Sequence, residues 1–226
     1  MRRHMGMTAA VVFAVAMTPA SGGWVVTTVE DVPEALVVGE PTTLVFTIRQ
    51  HGSSLLSGRE PTVVLQAPGA GWLARRVRVD ARDLGMGRYE ATFTPRDTGL
   101  AEIVVDADFM RHRIRLLPLP VVARGVDVAP LPPVDRGRHL FVAKGCVSCH
   151  IKRDDPVLGE RTVQVIGPEL SGRRLSEAYL RAKLEDPARN RVVTNQYVQM
   201  PDLRLRAPEI SALVAYLGGV ERVATP

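Results

Sequence analysis

The sequence predicts a multidomain protein, with an N-terminal all-β antiparallel sandwich followed by a C-terminal all-α domain. In residues 24–117, apolar and polar residues alternate with a period of two, which is typical of strands with one buried face. In residues 134–226, apolar residues recur at helical spacing. Residues 118–133 contain five prolines, which lack a backbone donor and favour an extended linker between the domains.

The N-terminal region divides into short alternating segments that glycine- and proline-containing turn signals separate. The clearest alternating segments are residues 43–48, 63–65, 76–80, 88–93 and 103–105. Some six to eight strands at this spacing predict a small sandwich. The stretch Gly87 to Pro95, which is followed by Gly99 and a further strand, resembles a hairpin of immunoglobulin-like periplasmic domains. Such domains accompany cytochrome oxidases and copper-handling proteins.

The N-terminus reads as an export signal at residues 1–23. Arg2 and Arg3 precede a short apolar core at 9–17, and small residues follow at 18–22. The core is too short to predict a membrane span with confidence. However, no charged residue lies between His4 and Glu30, so an uncleaved membrane anchor is the alternative. We therefore expect a periplasmic or other extracytoplasmic location.

The C-terminal region contains the motif Cys146-Val147-Ser148-Cys149-His150. Two cysteines separated by two residues and followed by a histidine form the attachment site of a c-type haem. A thioredoxin-like dithiol or half of a zinc site are the alternatives. No second Cys or His pair at zinc spacing accompanies the motif, and the flanking sequence does not read as the βαβ unit of a redox dithiol.

Three helices are predicted around this motif. Asp135 is placed to cap a first helix that leads to Cys146. A second helix is expected over 176–185, and a third opens at Pro208 without the usual Ser or Thr cap. The loop 186–200, which is rich in Arg, Asn and Gln, connects the last two helices.

Taken in order, four motifs resemble a small class I cytochrome c over about ninety residues. They are Cys-x-x-Cys-His, Gly167-Pro168-x-Leu170, Met200-Pro201 and the helix pattern from Glu209 to Leu217. The resemblance implies one covalent haem c that is bound through Cys146 and Cys149, with His150 and Met200 as axial iron ligands. It also implies that the carbonyl of Pro168 accepts a hydrogen bond from His150, and that Gly137 and Phe141 pack against Leu213 and Tyr216.

Two internal observations bear on the iron ligands. Met200 is the only methionine after residue 110, which agrees with its implied role. His139 is a rival ligand on paper, but it precedes the motif on the first helix.

The predicted sandwich also holds residue types that can bind copper. The candidates are Met86, Met110, His51 and His112, of which Met110 and His112 would share a strand face. We favour the interpretation of core methionines and surface histidines. Because both cysteines are committed to the haem, a blue-copper or dinuclear copper centre is excluded.

The function expected from these features is single-electron transfer in a respiratory chain, because a haem iron whose two axial positions are both filled by protein side chains has no position for a substrate. An enzyme such as a haem peroxidase needs a second haem or an open iron site, so it is set aside.

The chain carries a net charge of +5, and residues 134–226 hold 15 Lys and Arg against 11 Asp and Glu. This favours an acidic redox partner, such as a terminal oxidase or dehydrogenase. Nucleic acid is not expected, since no basic run is interleaved with aromatic residues. The sandwich would be a docking module, and the alternative is a fixed haem subunit of a membrane complex.

Overall fold

The computed structural model describes residues 23–71, 74–158, 166–188 and 200–218. The predicted signal or anchor lies, apart from residue 23, outside these ranges. Within them, no helix is long and apolar enough to cross a membrane.

Eleven strands in the described residues form two sheets. In chain order the strands are β1 (Val25–Val29), β2 (Leu36–Val37), β3 (Thr42–Gln50), β4 (Ser54–Leu55), β5 (Thr62–Gln66), β6 (Arg76–Asp80), β7 (Arg82–Gly85), β8 (Arg88–Phe93), β9 (Gly99–Asp106), β10 (Arg113–Arg115) and β11 (Leu119–Val122). The first sheet has the order β1-β3-β8-β7, with β4 on β3; the second has β2-β11-β9-β5-β6, with β10 on β9. The described pairings are antiparallel except for β2 with β11, which is parallel.

The inward faces of the two sheets form the core of the sandwich, as the alternation predicts. In β3 the side chains of Leu44, Phe46 and Ile48 are fully buried. Phe46 pairs in register with Tyr89 of β8, and the two rings stack at 5.8 Å between centroids. The Tyr89 hydroxyl donates a hydrogen bond to the carbonyl of Leu56 at 2.8 Å, so its polar end is satisfied. The all-β sandwich is therefore confirmed.

The sandwich continues beyond residue 117 into the predicted linker. Strand β11 lies within 118–133 and pairs with β9 and β2. It includes Pro120, which a sheet tolerates where no ladder donor is needed. Leu119 and Val121 are buried, so their burial outweighs the proline signal, and the connection to the helices begins only after Val122.

Three α-helices follow, namely α1 (Pro133–Ala143), α2 (Glu177–Glu185) and α3 (Ala207–Leu217). The prediction that Asp135 caps α1 is wrong, because the helix already begins at Pro133. Asp135 instead pairs with Arg138 within the first turns of the helix. Ser176 caps α2 by accepting a hydrogen bond from the Tyr179 amide at 3.3 Å.

Helices α1 and α3 cross at a glycine. A Cβ atom at Gly137 would lie 2.1 Å from the carbonyl oxygen of Ala212 and 2.6 Å from Cβ of Tyr216, so only glycine allows this approach. One turn later, the ring centroids of Phe141 and Tyr216 are 5.6 Å apart. This is the helix contact that the sequence resemblance implies, and it places the end of α1 beside the motif.

Candidate functional site

The cysteine motif occupies a compact turn directly after α1. Gly145 has a φ of 80°, a left-handed conformation that favours glycine, and it reverses the chain. A single 3₁₀ turn, Cys146–Ser148, follows. The carbonyl of Cys146 accepts hydrogen bonds from the amides of Cys149 at 3.1 Å and His150 at 2.9 Å. These bonds hold both thiols and the imidazole within one turn of backbone.

The environment of the thiols does not resemble that of a reactive dithiol. Burial, with the neighbouring Cys149 thiol as a lesser cause, raises the pKa of Cys146 to about 12. Burial also raises the pKa of Cys149 to about 11. A redox dithiol needs a lowered thiol pKa, so the thioredoxin-like alternative gains no support.

His150 is held by the backbone of the segment that follows the motif. Its Nδ1 donates a hydrogen bond to the carbonyl oxygen of Pro168 at 2.9 Å. The Gly167 amide in turn donates to the carbonyl of Cys149 at 2.9 Å. A Cβ atom at Gly167 would lie 2.4 Å from Cε1 of the imidazole, so glycine is required for this contact. The contact that the sequence resemblance implies is therefore present.

The hydrogen bond to Pro168 also defines the form of the imidazole. With the proton on Nδ1, the lone pair lies on Nε2, which is then the nitrogen able to coordinate a metal. Burial lowers the pKa of His150 and outweighs the opposing effect of this hydrogen bond. The neutral ring is therefore favoured, and this is the form that ligates iron.

Met200 is partly buried against the hydrophobic core, as are Cys146, Leu170, Leu175 and Leu205. It also lines a cavity of about 570 Å³ with the end of α2 and with sandwich residues Arg49, Gly52 and Ser53. Residues 189–199 of the predicted loop 186–200, which is rich in Arg, Asn and Gln, lie outside the described residues.

These side chains fit a covalently attached haem. Two thiols separated by two residues suit two thioether bonds, and a backbone-oriented neutral imidazole suits the iron. The glycine beside His150 leaves room for the ring and for nothing larger. Leu170, Leu175 and Leu205, like Met200, are partly buried against the hydrophobic core. The assignment of Cys146, Cys149, His150 and Met200 to haem remains a prediction.

His139, the rival ligand, lies on α1. Burial, with the charges of Arg136 and Arg138, lowers its pKa. The backbone anchor at Pro168 engages His150 instead, so the geometry favours the histidine of the motif.

The copper candidates of the sandwich are placed differently from expectation. Met86 and Met110 are 75% and 65% exposed, each at a positive φ in a turn, so they are not core residues. Met110 and His112 lie in the turn between β9 and β10 and do not share a strand face. Within the described ranges, no group of three His, Cys, Asp or Glu residues could hold a metal.

Two polar clusters were not foreseen from the sequence. Lys144 and Glu209 form an ion pair with 2.8 Å between Nζ and Oε1, and both side chains are about 95% buried. Asp155 accepts hydrogen bonds from Tyr216 at 2.8 Å and Arg138 at 2.7 Å. A Lys beside a helix end and a Glu in a first turn are usually exposed, so the pattern carries no signal for such burial.

Comparison with protein families gives a match in the C-terminal region. Residues 134–221 match the family described as Cytochrome c, which supports a C-terminal cytochrome c domain. No curated protein matches the chain.

Among solved structures, the chain is similar to trypsin-activated α2-macroglobulin from Escherichia coli, with 16% identity and a TM-score of 0.34. The similarity covers 48% of this chain and 7% of that one. A β-glucosidase from Listeria innocua, in complex with isofagomine, shows 18% identity and a TM-score of 0.29, over 44% of this chain and 16% of the enzyme. At these TM-scores the similarities say nothing about function, and the immunoglobulin-like type of the sandwich remains a prediction.

Proposed function

We propose that the protein is an exported c-type cytochrome that carries one covalent haem with His150 and Met200 as axial ligands. It would transfer single electrons in a respiratory chain. The observation that carries the proposal is the hydrogen bond from His150 to Pro168, which presents Nε2 of a neutral imidazole directly after the two cysteines. The match of residues 134–221 to the cytochrome c family supports the same chemistry.

When bound, the haem supplies a one-electron couple between ferric and ferrous iron. Cys146 and Cys149 keep it on the chain in both oxidation states. His150 and Met200 would occupy both axial positions, so no position is open for a substrate. An apolar pocket around the haem would disfavour the additional positive charge of ferric iron and so raise the reduction potential.

The positive charge of the haem domain supports an acidic partner, and the predicted N-terminal signal supports an extracytoplasmic location. The basic haem domain would attract an acidic surface on a terminal oxidase or dehydrogenase, with an association rate that falls as salt rises. Export through the predicted signal would bring the chain to the extracytoplasmic side, where c-type haem is attached.

The test is expression of the full chain in cells that attach c-type haem. We expect haem staining to persist on a denaturing gel and the ferric spectrum to show the weak long-wavelength band of a methionine–iron bond. A chain that matures without covalent haem contradicts the proposal.

The alternative is a fixed haem subunit of a membrane complex, which the additional sandwich domain favours because a free shuttle needs only its haem domain. Fractionation separates the two functions. A soluble monomer at physiological salt supports a shuttle, and co-purification with a membrane oxidase supports a fixed subunit.

A further inference from the structure

Strand β1 is buried on both faces, although it lies at the edge of its sheet. Val25 and Val29 belong to the sandwich core. Val26 and Thr28 point to the opposite face, yet they are only 2% and 4% exposed. The outer face of a sandwich sheet normally contacts water, so another part of the chain must cover this one.

The cover is the turn before the cysteine motif. A Cβ atom at Gly145 would lie 2.7 Å from both Cγ1 of Val26 and the carbonyl oxygen of Thr27. The Thr28 hydroxyl donates a hydrogen bond to the carbonyl of Lys144 at 3.3 Å. The sandwich therefore contacts the haem domain at the two residues that directly precede Cys146.

Lys144 connects three parts of the molecule at this point. Its ammonium group pairs with Glu209 at the start of α3, and it donates a hydrogen bond to the carbonyl of Glu30, just after β1, at 2.6 Å. Because removing a charge from water is costly, a buried ammonium group requires all of these partners in place. Its geometry therefore depends on the sandwich as much as on the haem domain.

Further ion pairs surround this contact. Asp31 lies 2.8 Å from Arg206 in front of α3, and Glu34 lies 3.3 Å from Arg136 on α1. These pairs are more exposed, so each contributes little by itself. They show that one segment of the sandwich, residues 30–34, meets both helices that enclose the haem motif.

The sandwich also faces the other side of the candidate site. Arg49, Gly52 and Ser53 line the same cavity as Met200 and Asp202. The sandwich thus adjoins two segments of the candidate site, residues 144–145 and 200–202.

We propose that Lys144 is a positioning residue that fixes the β-sandwich to the haem domain, and that the docked sandwich shields the Met200 segment from solvent. The shielding part rests on the proposed function, because it concerns access to the haem iron. The docking part concerns the polypeptide alone. On this proposal the sandwich stays docked to the haem domain and forms one side of the redox site.

The test compares full-length variants by hydrogen–deuterium exchange of the peptide that covers residues 24–31. Lys144→Met removes the buried ammonium group. Val26→Asp introduces a charge at the interface from the sandwich side and leaves the haem domain unaltered, and Val26 faces away from the sandwich core. We expect both to speed exchange of this peptide by about tenfold or more, since exchange follows the population of the open form. Val64→Asp, on the outward face of β5, is the control and should leave this peptide unchanged.

The second readout is the rate at which cyanide binds the ferric haem. In Lys144→Met and Val26→Asp we expect roughly tenfold faster cyanide binding than in the wild type and in Val64→Asp, because an open interface exposes the Met200 segment. If the 24–31 peptide of both variants exchanges at the wild-type rate, the docking role of Lys144 is overturned. If the peptide exchanges faster but the rate of cyanide binding is unchanged, the shielding of the Met200 segment is overturned. Absence of covalent haem in the wild type contradicts the proposed function instead, and the exchange result still decides on docking.

Discussion

The two sides of the candidate haem site are supported in different ways. On the side of His150, the ring is held by Pro168 and Gly167, and both lie within twenty residues of it in the same domain. On the side of Met200, the neighbouring cavity is lined partly by Arg49, Gly52 and Ser53, about 150 residues earlier in the chain. The surroundings of His150 therefore depend on local backbone geometry, and those of Met200 depend on how two domains meet.

This difference indicates which properties each side would control if the proposed haem is bound. Attachment and orientation of the haem would then depend on the His150 side. Solvent access, and with it part of the reduction potential, would depend on the Met200 side. Four changes test this division, from the largest expected effect to the smallest.

Replacing both cysteines, Cys146→Ala with Cys149→Ala, should abolish covalent haem completely, because no other cysteine exists in the chain. Haem staining of a denaturing gel measures this directly. Met200→Ala is the matched control and should retain the stain, since it alters only the opposite side. Stain that remains in the double variant would show that the attachment assignment is wrong.

Met200→Ala should lower the midpoint potential by on the order of a tenth of the roughly 0.8 V range that axial ligands span. The long-wavelength band of the ferric protein should disappear with the methionine–iron bond. Redox titration with visible spectroscopy checks both. Met86→Ala, at an exposed turn, serves as control, and a potential in Met200→Ala equal to that of this control contradicts closed His/Met ligation.

Gly167→Ala should destabilise the folded protein by about 3 kcal/mol, because the new methyl group overlaps the His150 ring and forces it away from Pro168. Guanidinium unfolding of the holoprotein measures this free energy. In Gly172→Ala a Cβ meets nothing within 4 Å, so only backbone strain of about 1–2 kcal/mol at its φ of 63° is expected. If Gly167→Ala and Gly172→Ala lost the same free energy of unfolding, the close contact between Gly167 and His150 would be contradicted.

Asp155→Asn should cost about 2 kcal/mol of unfolding free energy at neutral pH, because it removes a charged partner of Arg138. Burial by itself would raise the pKa of Asp155, but hydrogen bonds from Arg138, Tyr216 and the Val157 amide outweigh it and lower the pKa. The carboxylate therefore stabilises the fold above its unfolded pKa of about 3.9, and this stability is lost as pH falls through the lower, folded pKa.

Unfolding by guanidinium at successively lower pH tests whether the stabilisation by Asp155 is lost in acid. The stability difference between the wild type and Asp155→Asn should narrow as the wild-type carboxylate protonates. Asp127→Asn, in the exposed connection, is expected to change nothing at any pH. A difference that widens in acid would show that the carboxylate does not stabilise the fold in its charged form.

Features that depend on local pattern were predictable. The alternation of Leu44, Phe46 and Ile48 predicted β3, and Ser176 predicted the start of α2. The resemblance to class I cytochrome c implied the crossing of α1 and α3 at Gly137. The prediction was wrong at Asp135, because the helix already begins two residues earlier, at Pro133. Strand β11 was missed because its pairing with β9 and β2 lies far away in the chain.

By itself, the sequence determined the two classes of structure and the chemistry of one segment, since strand periodicity, helix starts and a Cys-x-x-Cys-His motif each span only a few neighbouring residues. Only the tertiary structure decided that β1 is covered on both faces and that Lys144 and Glu209 are buried together at the boundary with the sandwich. The physical reason is that the burial of a side chain depends on which distant surface covers it. A lysine at the end of a helix reads the same whether water or another domain surrounds it.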